Sequence, residues 1–234
     1  MKLIQDNPVF KPLGQNFYTA IPNVTGAAYD DKAKMYERLV GSKLYNRIFW
    51  GTSPSDYTRF AENAILSAKG NALDVGCGGL VQTASVYTKA QADCYLLDQS
   101  TAMLEIGKKR LEKACGNVPE NIVLLQADAF QIPFADQTFD TVFSFGMIHL
   151  FADKPGFLSE VLRVLKTGQR FYFTSLTNDR RFSSWYLSLL QQKNEIAAPM
   201  GSKEITALFN PQKTKIEMHN KGSMVFISGV KTAH

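Results

Sequence analysis

Chemistry is most legible in the run Asp74-Val75-Gly76-Cys77-Gly78-Gly79, followed 20 residues after Gly78 by Asp98. Glycines let a chain bend sharply and let a ligand approach backbone atoms without meeting a Cβ. A carboxylate at the end of the following strand can accept hydrogen bonds from both ribose hydroxyls of an adenosine. A turn of this kind alone is a common structural loop. The acidic partner at this spacing makes it a candidate nucleoside site. Starting at Gly76, the dinucleotide fingerprint requires glycine or alanine where Val81 stands. No lysine stands at phosphate-loop spacing either. An adenosine ligand without phosphates fits better than a dinucleotide or a nucleoside triphosphate.

Other side chains are weighed against plainer explanations. His149 follows an apolar run, and its type suits a general base, although a histidine at such a turn is more often bonded to backbone. No catalytic residue is assigned beyond this single candidate. Cys77 is expected to pack as a small side chain, not to act as a nucleophile. Among the N-terminal aromatics, Tyr45 and Trp50 are the two placed against the ligand, while Tyr29, Tyr36, Phe49 and Tyr57 are expected in the core. Cys77, Cys94 and Cys115 show no paired spacing and the histidines are scattered, so neither disulfide nor metal is expected.

These residues need strands and helices to hold them. Ala72–Val75, Cys94–Leu97, Asn121–Leu125, Phe139–Phe145 and Arg170–Ser175 read as five short strands. Between them, Leu80–Lys89, a segment capped by Ser100 with Met103, Leu104, Gly107 and Leu111 on one stripe, and Asp153–Lys166 stopped by Gly168 read as helices. Alternation of this kind predicts parallel βαβ units. Lys215–His219 and Ser223–Ser228, joined by a turn at Asn220-Lys221-Gly222, predict an antiparallel hairpin. The fold class expected is α/β: a Rossmann-like, doubly wound, mostly parallel seven-stranded sheet with a C-terminal antiparallel hairpin and an N-terminal helical extension. The extension would cover residues 1–69, helical from Ala27 onward. The ligand-binding domain would cover 70–234, with a lid insertion at 177–211 carrying Phe182, Trp185, Tyr186, Leu189 and Leu190.

Composition bounds the answer. A chain of 234 residues with 45% apolar and 20% charged residues suits one sizeable domain. Its longest apolar stretch, Val142–Phe151, is about half the roughly 20 residues a membrane span needs. The N-terminus lacks the apolar run of a secretory signal, so a cytoplasmic protein is expected. The net charge of +5 lies on the flanks, and no basic arm suggests nucleic acid.

At residues 70–176 the motifs together resemble the class I S-adenosylmethionine-dependent methyltransferases, in particular the group of ubiquinone/menaquinone C-methyltransferases and related small-molecule enzymes. Ala72–Gly78 resembles their first motif, and Leu96-Leu97-Asp98-Gln99-Ser100 with Met103-Leu104 their second. Gln126–Phe134 followed by Asp136, Phe139 and Asp140 resembles the third and fourth, and Glu160–Lys166 with Gly168 the helix before the fifth strand. The resemblance implies roles. Backbone at Gly76, Cys77 and Gly78 would meet the methionine part of S-adenosylmethionine, with Asp74 orienting the turn and reaching the amino group through water. Asp98 would hold the ribose, with Gln99 beside it in the binding set and Met103 near the adenine. Asp128 would accept from the adenine amino group and Ala129 would offer its amide, while Ser144, Phe145 and Gly146 would line the cofactor. Leu80 stands where the family usually has a third glycine, and Thr167-Gly168-Gln169 replaces its proline-glycine-glycine.

The function implied is methyl transfer to a small-molecule acceptor, apolar or aromatic, with S-adenosylhomocysteine as product, by a monomer or homodimer. The rivals are a methyltransferase acting on RNA or protein and a non-catalytic protein that binds S-adenosylmethionine.

Overall fold

A computed structural model describes residues 3–4, 9–21, 50–51 and 53–232. Among them lies a nine-stranded sheet of order β1-β2-β5-β4-β3-β6-β7-β9-β8. Its central strands are β3 (Asn71–Val75), β4 (Asp93–Asp98), β5 (Ile122–Gln126), β6 (Phe139–Phe145) and β7 (Leu165–Leu176), all mutually parallel. Then β9 (Met224–Lys231) runs antiparallel to β7 and pairs with β8 (Thr214–Lys221) to complete the expected hairpin. All seven expected strands are present. Two more come from the N-terminal segment: β1 (Lys11–Gly14) and β2 (Phe17–Thr19), with β2 parallel to β5. At three and four residues they are too short to show alternation in the sequence, and β1 is exposed throughout.

The helices are α1 (Pro54–Ser67), α2 (Ala84–Tyr87), α3 (Thr101–Cys115), α4 (Lys154–Val164), α5 (Arg181–Gln192) and α6 (Ser202–Ala207). Their ends follow capping chemistry. The Ser100 hydroxyl accepts from the Met103 amide at 3.1 Å, and Gly116 ends the same helix at φ 91°. Asp153 caps α4 by accepting from the Gly156 amide at 2.9 Å. Two boundaries differ from expectation. The helix expected over Leu80–Lys89 is only the turn α2, because Leu80 itself holds φ 57° and a left-handed residue cannot continue a right-handed helix. α4 ends at Val164, and Gly168 lies inside β7 at φ 81°, where the register against β6 shifts. Helix α1 falls where helix was expected. Residues 22–49, which hold Tyr29, Tyr36, Tyr45 and Phe49, lie outside the described residues.

Burial on both faces explains the unbroken apolar strands. Leu73, Val75, Tyr95, Leu97, Val123 and Leu125 face one core with Phe139, Phe157, Phe171 and Phe173. Ala72, Cys94, Leu96, Ile122, Leu124 and Phe143 face a second core with Ile65, Tyr87, Leu104 and Leu111. Strand order reverses at β3, flanked by β4 and β6, so the carboxyl ends of these three strands frame the crevice where such sheets take ligands. No helix among the described residues is long and apolar enough to cross a membrane.

Candidate functional site

The turn after β3 is fastened to its neighbour. The amides of Gly76 and Cys77 both donate to the Leu97 carbonyl, at 2.8 and 3.0 Å. Gly76 holds φ 77° and Gly78 φ 56°, conformations that favour glycine. The two have different surroundings. A Cβ on Gly76 would collide with the Met147 side chain, whereas one on Gly78 would meet nothing within 4 Å. Gly76 is thus glycine for packing, and Gly78 leaves open space for a ligand.

The third left-handed position is Leu80, where the family pattern has glycine. Leu80 is 2% exposed, and its side chain covers Gly107 on α3. A left-handed leucine costs roughly 1–2 kcal/mol; burying its side chain offsets this. Gly79 keeps an ordinary negative φ, and its carbonyl accepts from Arg110 of α3. Helix α3 therefore receives both residues of the turn, one by packing and one by charge-assisted hydrogen bond.

Asp98, at the end of β4, accepts from the Gly78 amide through Oδ2 and from the Ser100 amide through Oδ1, each at 2.9 Å. The two backbone amides thus fix the direction of both carboxylate oxygens. Asp128 similarly accepts from the Phe130 amide at 2.9 Å, which folds the chain after β5. That segment is clamped from below by Glu160 and Arg163 of α4. The Ile132 amide donates to Glu160 at 2.8 Å, and Arg163 donates to the carbonyls of Phe134 and Ile132 at 2.9 and 3.0 Å, and to Asp136 and Glu160.

A cavity of about 490 Å³ lies over these strand ends. Of the residues expected at the ligand, Gly76, Gly78, Asp98, Gln99, Met103, Asp128, Ala129, Phe145 and Gly146 line it. The rest of its wall was not anticipated: Leu97, Ser100, Phe130, Met147, Leu150 and Phe151, with Asn194 and Glu195 arriving from the segment after β7. Apolar side chains after β6 were visible as a run, but nothing in their types distinguished wall from core. Asn194 and Glu195 carry no motif; only the folded chain brings them over the crevice.

Five expected residues stand elsewhere. Asp74 is 3% exposed and off the cavity, because strand alternation turns it, with Ala72, toward α2. There its Oδ2 accepts from the Tyr87 hydroxyl at 2.6 Å, and burial pushes its carboxyl up to about 7, against the lowering effect of that bond. Cys77 sits behind the turn. Burial, with the charges of Asp98 and Asp74, holds its thiol well above the usual range, as suits a packing role. Ser144 is buried between strands and donates to the Val75 carbonyl at 2.8 Å. Trp50 is buried against Tyr186 of α5, with ring centroids 5.5 Å apart, and its carbonyl accepts from the Ser223 amide. His149 is 8% exposed, and its Nδ1 accepts from the Leu176 amide at 3.3 Å. Burial and, secondarily, the Lys154 charge push its pKa down to about 4. This neutral, committed imidazole is the backbone-bonded histidine, not a base facing the cavity. Tyr45 lies outside the described residues.

A family description of the methyltransferase domain matches residues 73–173. Among curated relatives, the chain is 27% identical over 157 residues to 27-O-demethylrifamycin SV methyltransferase of Amycolatopsis mediterranei (strain S699), covering 64% of this chain and 57% of the relative. It is 32% identical over 152 residues to demethylmenaquinone methyltransferase of Thermobifida fusca (strain YX), covering 64% and 59% respectively. The chain thus spans less than two thirds of the length of either relative. Among solved structures, it superimposes with TM-score 0.66 on Haemonchus contortus phosphoethanolamine N-methyltransferase 2, bound to phosphomonomethylethanolamine and S-adenosylhomocysteine. That likeness covers 87% of this chain and 58% of the other at 16% identity, and it is a likeness of fold.

Proposed function

We propose that the chain is a cytoplasmic class I S-adenosylmethionine-dependent enzyme that transfers a methyl group to a small organic acceptor with an apolar or aromatic body; the match of residues 73–173 to the methyltransferase domain supports this reading. The observation that carries this is one cavity lined at once by Asp98, Asp128, Gly78 and the aromatic side chains Phe130, Phe145 and Phe151. The residues suit the cofactor. Gly78 opens onto free space, Asp98 lines the cavity with its carboxylate directed by two backbone amides, and the volume lies in the range of small-molecule sites.

Asp98 holds the ribose hydroxyls, Asp128 accepts from the adenine amino group with Met103 and Ala129 beside it, and Gly78 leaves room for the methionine chain. Bound S-adenosylmethionine supplies an electrophilic methyl carbon on a sulfonium. Phe145, Met147, Leu150, Phe130 and Phe151 then exclude water and orient the acceptor. In-line placement of this kind carries most of the rate for a displacement that needs no covalent help. The segment 177–211 forms the acceptor side of a domain spanning 70–234.

Calorimetric titration with S-adenosylmethionine and S-adenosylhomocysteine tests the reading. Both bind the intact protein in the micromolar range or tighter, and Asp98→Ala weakens both. Failure of either to bind the intact protein would overturn it.

A further inference from the structure

The acceptor end of the cavity carries one feature that methyl transfer does not require. Apart from the residues assigned to the cofactor, the described lining includes Phe130, Phe145, Met147, Leu150 and Phe151, and its one further charged residue among the described residues is Glu195. Phe130 and Phe151 meet edge to face with centroids 4.9 Å apart, so aromatic surface continues under the rim. Among the described residues, no lysine or arginine lines the cavity.

Glu195 is held in place by backbone geometry. Helix α5 ends at Gln192 with Lys193 as its C-cap, and Asn194 takes φ 56°, the left-handed conformation that reverses a chain at a helix end. The amides of Asn194 and Glu195 donate back to the carbonyls of Gln191 and Leu190, at 2.9 and 3.0 Å. Two residues on, the Ala197 amide donates to the His149 carbonyl at 3.2 Å, which pins the segment to the turn that supplies Leu150. Buried Lys154 adds a third fastening through the carbonyls of Phe151 and Ala198, and it stays off the cavity. The Glu195 carboxylate has no hydrogen bond or ion pair among the described residues. Asp98 and Asp128, by contrast, each accept from backbone amides.

We propose that Glu195 selects the acceptor: the cavity takes an amphiphilic cation, an amine whose apolar body lies against Phe130, Phe151 and Leu150 and whose ammonium group pairs with Glu195. This rests on the methyltransferase reading, since it assigns the Asp98–Asp128 half of the cavity to the cofactor. An aromatic wall favours a cation through its ring faces, and a carboxylate at the rim adds a directed ion pair. A neutral acceptor would leave that carboxylate unused, and an anionic one would be repelled.

The test is a titration of the full chain saturated with S-adenosylhomocysteine, using three probes of similar size: phenethylamine, 2-phenylethanol and 3-phenylpropanoate. The amine binds roughly tenfold tighter than the alcohol, the gain a cation–π contact and a partly exposed ion pair supply together. The carboxylate binds more weakly than the alcohol. Glu195→Gln removes the preference for the amine, and Glu195→Asp keeps part of it. The proposal is overturned if the amine and the alcohol bind alike, if none of the three binds, or if the preference survives Glu195→Gln. It is also overturned if Glu195→Gln loses S-adenosylhomocysteine itself, which would place the carboxylate on the cofactor. Failure of S-adenosylhomocysteine to bind the intact protein would strike the methyltransferase reading instead.

Discussion

The contact between Leu80 and Gly107 offers a quantitative test of how the glycine turn is supported. A Cβ on Gly107 would lie 3.1 Å from Cγ and 3.3 Å from Cδ1 of Leu80, closer than ordinary packing, while the Gly78 carbonyl would be at an acceptable 3.5 Å. Gly107→Ala should gain about 1 kcal/mol of helix propensity in the middle of α3. The clash with a leucine only 2% exposed should cost roughly 2 kcal/mol, so the variant loses about 1 kcal/mol overall. Leu80→Ala alone should cost roughly 3 kcal/mol, since the side chain is lost while the left-handed φ of 57° remains strained. In the Leu80→Ala background the clash is gone, so adding Gly107→Ala should stabilise by about 1 kcal/mol, giving a coupling of about 2 kcal/mol. Leu80→Gly, which restores the family's glycine, should still lose roughly 2 kcal/mol or more because relief of about 1–2 kcal/mol does not offset the lost side chain. Urea unfolding of the four proteins of the cycle measures this. If Gly107→Ala changes stability equally in both backgrounds, Leu80 is not seated on Gly107 and the account of the turn is refuted.

Three further outcomes follow from the same geometry. Asp98→Ala should lose binding of S-adenosylhomocysteine by at least tenfold and about 1–2 kcal/mol of stability, because the Gly78 and Ser100 amides lose their acceptor; calorimetry and urea unfolding report the two losses separately, and a variant with unchanged affinity would remove Asp98 from the site. For His149, the folded pKa of about 4 lies below the ordinary 6.5, so the unfolded chain takes up the proton first and stability falls as pH drops through that window. By pH 5 the loss attributable to His149 is about 2 kcal/mol. Asp74, raised to about 7, works in the opposite direction, its stabilising protonation being lost as pH rises from about 4 to 7. The quantity to measure is therefore the stability difference between the intact protein and His149→Gln, which should shrink by about 2 kcal/mol from pH 7 to pH 5; a difference independent of pH would contradict a buried neutral imidazole. Finally, Arg163→Met should cost roughly 2 kcal/mol and weaken S-adenosylhomocysteine binding, since the arginine clamps the segment that carries Asp128; Arg163→Lys should recover little, because a lysine cannot reproduce the fork that reaches Phe134, Ile132, Asp136 and Glu160. Thermal melts and calorimetry check both variants.

What the sequence revealed depended on periodicity and spacing. The parallel strands announce themselves as apolar runs ending at Val75, Asp98 and Phe145, and the hairpin as two alternating runs around Gly222. That Gly78, Asp98, Asp128 and Phe145 line one cavity was legible for the same reason, since they sit where strand ends must converge. Asp74 was misplaced because a motif fixes a position along the chain but not a face of the sheet. Alternation on β3 sends it to Tyr87 and the second core. Trp50 was placed at the ligand on composition alone, while its burial against Tyr186 depends on a helix 131 residues or more further along the chain. Asn194 and Glu195 were hidden because they reach the cavity only through a left-handed residue at a helix end, and single residues of that kind leave no period to detect. Leu80 was visible as an oddity, and only Gly107 across the turn explains it.

Taken together, the neighbours of the acceptor constrain how the reaction can be driven. His149 is neutral and bonded to the Leu176 amide, the Cys77 thiol is held well above its usual range, and Asp74 faces away from the cavity. Among the described residues, the titratable groups that do line the cavity are the carboxylates Asp98, Asp128 and Glu195. On the proposed reading the first two serve the cofactor, which leaves Glu195 as the one of these three for the acceptor. A carboxylate is a poor base for an alcohol or an amide but a good partner for a cation. On the proposed reading, no base among the described residues faces the acceptor, so methyl transfer relies on placement and on an acceptor that arrives nucleophilic or loses its proton to water. The pH dependence of turnover above neutrality should then follow the acceptor's own ionisation and move with the acceptor chosen, whereas a protein base would hold it fixed.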